Sequence, residues 1–211
     1  KVFHKKYYQR AIWGSLKISA TVTLITVLLA TPLAYIMSTV KIRFASALQI
    51  LILVSSMSAP FIGAYAWIML CGRNGTITNF LLNTFGIKLG DIYGFKGCVI
   101  VMSLQLYSLV FMFVSGAFKN MDNSLIEASE SLGCSGIRKI FKVVLPLILP
   151  TLLSGALMVF MRTFADYGTP MLIGENYNTL PVVVYKEFLS EIGSSDGMAA
   201  AISIIAIVIT T

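Results

Sequence analysis

The chain has 211 residues, of which 57% are hydrophobic and 12% charged. A soluble domain carries about twice that charged share, so the composition excludes an ordinary soluble globular protein and points to a bilayer as solvent. The formal net charge of +7 is not a nucleic-acid signal, because the basic residues sit mostly between apolar runs, where they meet headgroups or water.

In chain order, the sequence opens on KVFHKKYYQR, basic and aromatic, with its single histidine, His4, reading as a solvated residue. The first apolar run covers 11–40; it is too long for a signal peptide and lacks a small-residue cleavage pattern. A tight basic hairpin, KIRF, leads to a second run at 45–70. Pro32 and Pro60 lie inside these two runs, as membrane helices tolerate. Residues 71–96 read as a longer loop with Gly72, Gly75, Gly86 and Gly90, before a third run at 97–118. A charged connection at 119–146 precedes a fourth run at 147–164. The loop 166–197 contains a predicted helix at 181–192, whose Tyr185, Phe188, Leu189 and Ile192 form one apolar face suited to the membrane interface. A fifth run starts near Met198 and ends after MAAAISIIAIVITT, short of the ~20 residues a span needs. That clipped run and the start without Met lead us to expect a piece of a longer chain. None of the runs alternates with period 2, which argues against a β-barrel. The expected fold is all-α, a polytopic transmembrane helical bundle with about five transmembrane helices.

Chemistry-bearing constellations are not found in the sequence. Cys71, Cys98 and Cys134 are far apart and show no CxxC or Cys/His spacing, so they read as small apolar fillers and no metal site is expected. The ten methionines read as packing filler in the same way. There is no paired-carboxylate or nucleophile–base pattern and no G-x-x-x-x-G-K-[ST], so this chain is not expected to be an enzyme or to bind ATP itself.

The most informative stretch is IEASESLGCSGIRKIFKVVLPLILP at 126–150. Ser124 and Glu127 fit a capping box, Leu125, Ala128, Ser129 and Leu132 line one side of a two-turn helix, and Gly133 ends it. Ser135 caps a second helix with Ile137, Ile140, Phe141, Val144 and Leu145 on one apolar face and Arg138, Lys139 and Lys142 opposite. Pro146 and Pro150 set the angle of the next span. By physics alone this insert is either a solvated interfacial connector or a docking knob for a soluble partner.

Its spacing resembles the EAA loop of binding-protein-dependent ABC importer permeases: Glu127-Ala128-Ser129, three residues, Gly133, nine residues, Val143, one residue, Leu145-Pro146. Ser129 for the second Ala and Val143 for Ile are the departures. GSLKISATVTLITVLLATPLAYIMS and PFIGAYAWIML are similar to the family's first core helix and the end of its second. The resemblance implies one transmembrane domain of the type I importer fold over 1–211, lacking an N-terminal helix and the end of the last. It implies that 119–146 is a cytoplasmic coupling loop, with Glu127, Ala128, Ser129, Leu132, Gly133, Leu145 and Pro146 engaging a cytoplasmic ABC ATPase dimer that carries the ATP-Mg. It further implies an extracytoplasmic substrate-binding protein, a second permease half (fused or separate), and a multi-pass location in the bacterial inner membrane. Charge counting alone leans the other way, with six basic residues on the side of 119–146 and eight on the side of 71–96; the resemblance overrules it.

Four residues are candidates for the translocation path: Arg162, Asp166, Gln105 and Ser56. Charges in a span are functional by default. The alternatives are an Arg162–Asp166 ion pair at i, i+4 and helix–helix hydrogen bonds for the polar residues. The segment FADYGTPMLIGENYNTLPVVVYKEF resembles ferric-iron-type permeases, and shares parts with permeases for aminoethylphosphonate, polyamines and thiamine. An ATP-independent channel or carrier is the competing reading from another class.

Overall fold

The structure is a computed structural model and describes residues 6–39, 43, 45–56, 60–86, 92–134, 136–175, 177–189, 204 and 207. Those residues form helices and turns, with no strand among them. Helix α1 is Lys6–Thr39, α2 Ala45–Ser56, α3 Pro60–Cys71, α4 Thr76–Phe85 and α5 Phe95–Lys119. Then come α6 (Asn123–Ser131), α7 (Gly136–Lys139), a π-helical turn (Ile140–Val144), α8 (Leu145–Ala165), α9 (Gly168–Ile173) and α10 (Leu180–Leu189). The chain is thus an all-α polytopic membrane protein.

Three helical runs are long and apolar enough to cross a membrane: Lys6–Thr39, Phe95–Lys119 and Gly136–Ala165. At ~1.5 Å per residue each exceeds the ~30 Å hydrocarbon thickness. The expected count of about five is therefore approximate. The run at 45–70 is two twelve-residue helices, α2 and α3, on either side of residues 57–59. Pro60 is the first residue of α3, where its missing N–H costs nothing. Of the run starting near Met198, only Ile204 and Ile207 lie within the described residues.

The expected loop at 71–96 contains a helix. Ile77, Phe80 and Leu81 recur at helical spacing in α4, and Gly86, at φ 66°, donates its N–H to the Leu82 carbonyl to close it. Helix α4 packs on α3, and α3 packs on α9.

The helices contribute to two compact units. The first is drawn from Lys1–Val22, Met57–Gln105 and Phe160–Thr211. Its core gathers Tyr8, Ala11, Phe164, Leu180 and Val183, with Ile12, Leu16 and Val184 against them. Two long-range hydrogen bonds fix the 177–180 segment to α1: Tyr177 Oη donates to the Gly14 carbonyl at 2.8 Å, and the Leu180 N–H donates to Ser15 Oγ at 2.7 Å. Burial pushes the Tyr177 phenol above its ordinary value and keeps it a donor. Gly14 sits under the Asn178 carbonyl, 3.2 Å from where a Cβ would be. The Gly94 N–H donates to the Ile173 carbonyl at 2.8 Å, joining the start of α5 to the end of α9.

Helix α10 starts close to its expected place, but its setting differs. Leu180, Val182 and Val183 are buried, Tyr185 is half-buried and Leu189 is exposed. The Phe188 side chain and Ile192 lie outside the described residues. Its first turns therefore join the core rather than lying on the surface, because Leu180 and Val183 meet Tyr8 and Ala11.

Asp166 closes the end of α8 and starts α9. Its Oδ1 accepts from the Gly168 N–H at 2.9 Å and its Oδ2 from Thr169 Oγ1 at 2.8 Å. These bonds satisfy first-turn donors of α9. Burial raises the Asp166 carboxyl above the usual aspartate range, against the opposing pull of those hydrogen bonds.

The second unit is drawn from Thr23–Ser56 and Leu106–Val159. Ala30, Ala34 and Met37 of α1, Val110, Phe111 and Val114 of α5, and Ile148, Leu152 and Val159 of α8 are buried in it. Gly155 lets α8 approach Phe113 of α5, whose Cβ lies 3.3 Å from where a glycine Cβ would be.

Two outcomes follow from these contacts. Ser15→Ala leaves the buried Leu180 N–H without its acceptor and lowers stability by about 1–3 kcal/mol, read as a drop in thermal unfolding temperature in detergent. Asp166→Asn keeps one carbonyl acceptor for the Gly168 N–H and turns its amide N–H toward Thr169 Oγ1, which can accept, so it holds most of the stability at neutral pH, whereas Asp166→Ala loses about 1 kcal/mol. The parent's Asp166 contribution is fully present below the ordinary aspartate pKa and is lost as pH rises through the raised one, so thermal unfolding of Asp166→Asn shows a weaker dependence in that window.

Candidate functional site

The connection between α5 and α8 folds as a compact helix with both ends closed. Its first cap is Asp122, whose Oδ1 accepts the Ser124 N–H at 2.9 Å, so the helix runs Asn123–Ser131. The expected capping box of Ser124 and Glu127 is not formed, because the helix starts before Ser124 and places Glu127 in its second turn. Asp122, Asn123 and Ser124 are all cap-competent; the carboxylate also complements the helix dipole. The Ser124 N–H holds the Asp122 carboxyl below its usual range. This cap is therefore intact above the ordinary aspartate pKa and is lost as pH falls through the lowered one.

The other end is a Schellman turn. The Gly133 N–H donates to the Glu130 carbonyl at 2.9 Å and the Cys134 N–H to the Ser129 carbonyl at 2.9 Å. Gly133 adopts φ 80°, a left-handed conformation costly for a residue with a Cβ. Glu127, Ala128 and Gly133 lie at the surface, and Leu132 is 88% exposed. Ser129 turns inward, buried, with its Oγ donating to the Ile126 carbonyl at 2.7 Å. Ser131 Oγ donates to the Glu127 carbonyl at 3.0 Å.

Beyond the turn, α7, the π turn and α8 run as one helical stretch, Gly136–Ala165. Pro146 lies in the first turn of α8 and Pro150 inside it, and the helical run continues through both. In the π turn the Leu145 N–H bonds the Ile140 carbonyl, five residues back. The widened turn makes room for the Pro146 ring, which in a regular helix presses on the carbonyl four residues back. It also shifts the register by one residue. Val144 stays buried and Ile140 and Leu145 half-buried, while Ile137 is 73% and Phe141 64% exposed. The expected single apolar face is thereby split. Lys139 pairs with Glu130 across the turn, leaving Arg138 and Lys142 exposed. A cleft of about 640 Å³ lies beside α6, lined among others by Met112, Gly116, Asn120, Asp122, Leu125 and Ile148.

The four candidate path residues are spread over α2, α5 and the end of α8. Arg162 is exposed in the last turn of α8, where a cation suits the helix dipole. Asp166 is committed to the start of α9, and the two do not form an ion pair. Gln105 is half-buried in α5. Ser56 ends α2, and its side chain lies outside the described residues. Among the described residues no three metal-ligating side chains come together.

Sequence reasoning missed two clusters in the first unit. The Tyr167 ring meets Phe61 at 5.2 Å and stacks on Tyr185 at 5.3 Å. Arg73 pairs with Glu175 at 2.8 Å and lies over the Tyr93 ring at 4.9 Å. Asp166 two residues before Gly168 is a local signal for the turn into α9; the ring and ion pairs join residues far apart in the chain and had no local signal.

Comparison with known proteins places this geometry. The chain is 26% identical over 186 residues to the putative ferric transport system permease protein FbpB 1 of Haemophilus influenzae, covering 88% of this chain and 29% of that protein. It therefore spans less than a third of that relative's length. It is 29% identical over 144 residues to the molybdenum transport system permease protein ModB of the same organism, covering 66% of this chain and 62% of that one. It is 28% identical over 201 residues to its spermidine/putrescine transport system permease protein PotB, covering 93% and 70%. The fold matches a chain of a bacterial alginate ABC transporter, solved with an alginate pentasaccharide-bound periplasmic protein, at a TM-score of 0.76 and 17% identity, covering 99% and 76%. Residues 20–211 match the binding-protein-dependent transport system inner membrane component family, and the chain belongs to that family.

Proposed function

We propose that this chain is permease machinery of an ATP-driven importer of the bacterial cytoplasmic membrane. It lines the translocation path with a second permease half, fused or separate. A cytoplasmic ABC ATPase dimer holding ATP-Mg grips α6, and a substrate-binding protein delivers cargo from the other side. ATP-driven closure of the ATPase pair moves α6, and the helices attached to it switch the path between its two openings. The observation that carries this reading is the loop itself: a short helix closed at both ends, with Leu132 standing clear of the fold beside Glu127 and Gly133. Such an element suits a partner's cleft, because its apolar tip is exposed and its backbone is already ordered.

For cargo we propose ferric iron, supported by the resemblance of 164–188 and by the ferric relative. Molybdate and polyamines are the competing cargoes, supported by relatives of similar identity.

The test is uptake by proteoliposomes holding the full-length permease, its ATPase and its binding protein, offered ferric iron, molybdate and spermidine in turn. Uptake of ferric iron alone supports the cargo reading; uptake of another cargo alone overturns it. Glu127→Lys lowers ATP-driven uptake at least about tenfold, as expected for the loss of a contact worth over about 1.4 kcal/mol, with membrane insertion unchanged. At position 133 uptake falls in the order Asn, Ala, Val, following tolerance of a left-handed backbone. Normal uptake in Glu127→Lys and Gly133→Val, or uptake that proceeds without ATP, sinks the coupling reading.

A further inference from the structure

We propose that the Glu130–Lys139 ion pair is a positioning clamp: it locks α6 to the start of the α8 helical run, so that movement of α6 reaches the membrane helix. This rests on the coupling reading above. The backbone joining α6 to α7 turns through two left-handed glycines, Gly133 at φ 80° and Gly136 at φ 59°. A Cβ at either would meet nothing within 4 Å. No neighbour stands against either glycine from the side, and glycine at both positions leaves the chain other conformations to visit.

Glu130 and Lys139 close the turn from the side. Glu130 lies near the end of α6, and Lys139 is the last residue of α7, directly before the π turn. Nine residues apart, Lys139 Nζ meets Glu130 Oε1. The lysine side chain is only 20% exposed, against 52% for the glutamate. Its stem is held by the protein, and its charge is offered to one carboxylate. Arg138 and Lys142 are exposed and form no ion pair with Glu130.

The consequence is thermodynamic. A loop that populates its docking conformation only part of the time binds its partner more weakly by that fraction. Removing a partly exposed ion pair shifts such a balance about two- to fivefold.

The experiment measures the dissociation constant of the partner ATPase for the full-length permease in nanodiscs, which needs no knowledge of cargo. Glu130→Gln and Lys139→Gln each weaken binding about two- to fivefold. Lys139→Arg stays near the parent. The exchange Glu130→Lys with Lys139→Glu restores binding toward the parent value, which a direct contact of either residue with the ATPase does not allow. The clamp is overturned if the single variants bind as the parent does, or if the exchange binds no better than they do. Glu127→Lys and Gly133→Val are measured alongside. If these also bind normally, the docking reading falls and the clamp with it. If they lose binding while the Glu130 and Lys139 variants keep it, the clamp alone falls.

Discussion

A bilayer offers no hydrogen bonds to a bare peptide group, so every departure from helix must bring its own partners. Outside the bilayer water could serve instead, yet the described helix ends also carry partners of their own. Asp122 supplies a carboxylate where α6 begins, and the Gly133 turn returns two N–H groups to the carbonyls of Glu130 and Ser129. Asp166 does the same work where α8 gives way to α9, and Ser15 reaches Leu180 from a distant helix. The specific chemistry thus collects at helix ends. The long middles are mostly apolar, with a small residue such as Gly155 where two helices approach closely.

The π turn shows how one local solution sets a distant property. Pro146 needs space behind it, and a five-residue turn at Ile140–Val144 provides that space without breaking the helix. The extra residue rotates everything before it relative to α8. Ile137 and Phe141 leave the buried face, while Lys139 comes to Glu130. What the connection presents to water is therefore decided by a proline seven residues beyond Lys139. A regular helix with the same composition would bury a different set.

Much of this was legible in the sequence, for physical reasons. Hydropathy finds spans because the bilayer penalises charge over ~20 residues. The α10 helix announced itself by periodicity, and the connection by the spacing of Glu127, Gly133 and Pro146. Other features were ambiguous by nature. Asp122, Asn123 and Ser124 all cap well, so the first residue of α6 could not be chosen from composition. The five glycines of 71–96 masked α4, although Gly75 and Gly86 turn out to bound that helix. The π turn defeats a strict 3.6 period. The bond between Ser15 and Leu180 spans 165 residues and leaves no local trace.

Charge counting and the family resemblance disagree on orientation, and the ion pairs bear on the counting. Counting assumes that basic residues answer only to the membrane potential and the cytoplasmic leaflet. Here Lys139 and Arg73 are engaged with Glu130 and Glu175, and Lys17 lies over the Phe95 ring. A cation held by the protein reports on folding as much as on topology. The same distinction bears on cargo. Relatives named for ferric iron, molybdenum and spermidine/putrescine lie at 26%, 29% and 28% identity. Identity that does not vary with cargo measures what the relatives share: helices that fit a bilayer and connections that close their ends. A few side chains carry little weight in such a score. Arg162, at the exposed end of α8, is one side chain that neither the caps nor the ion pairs described account for.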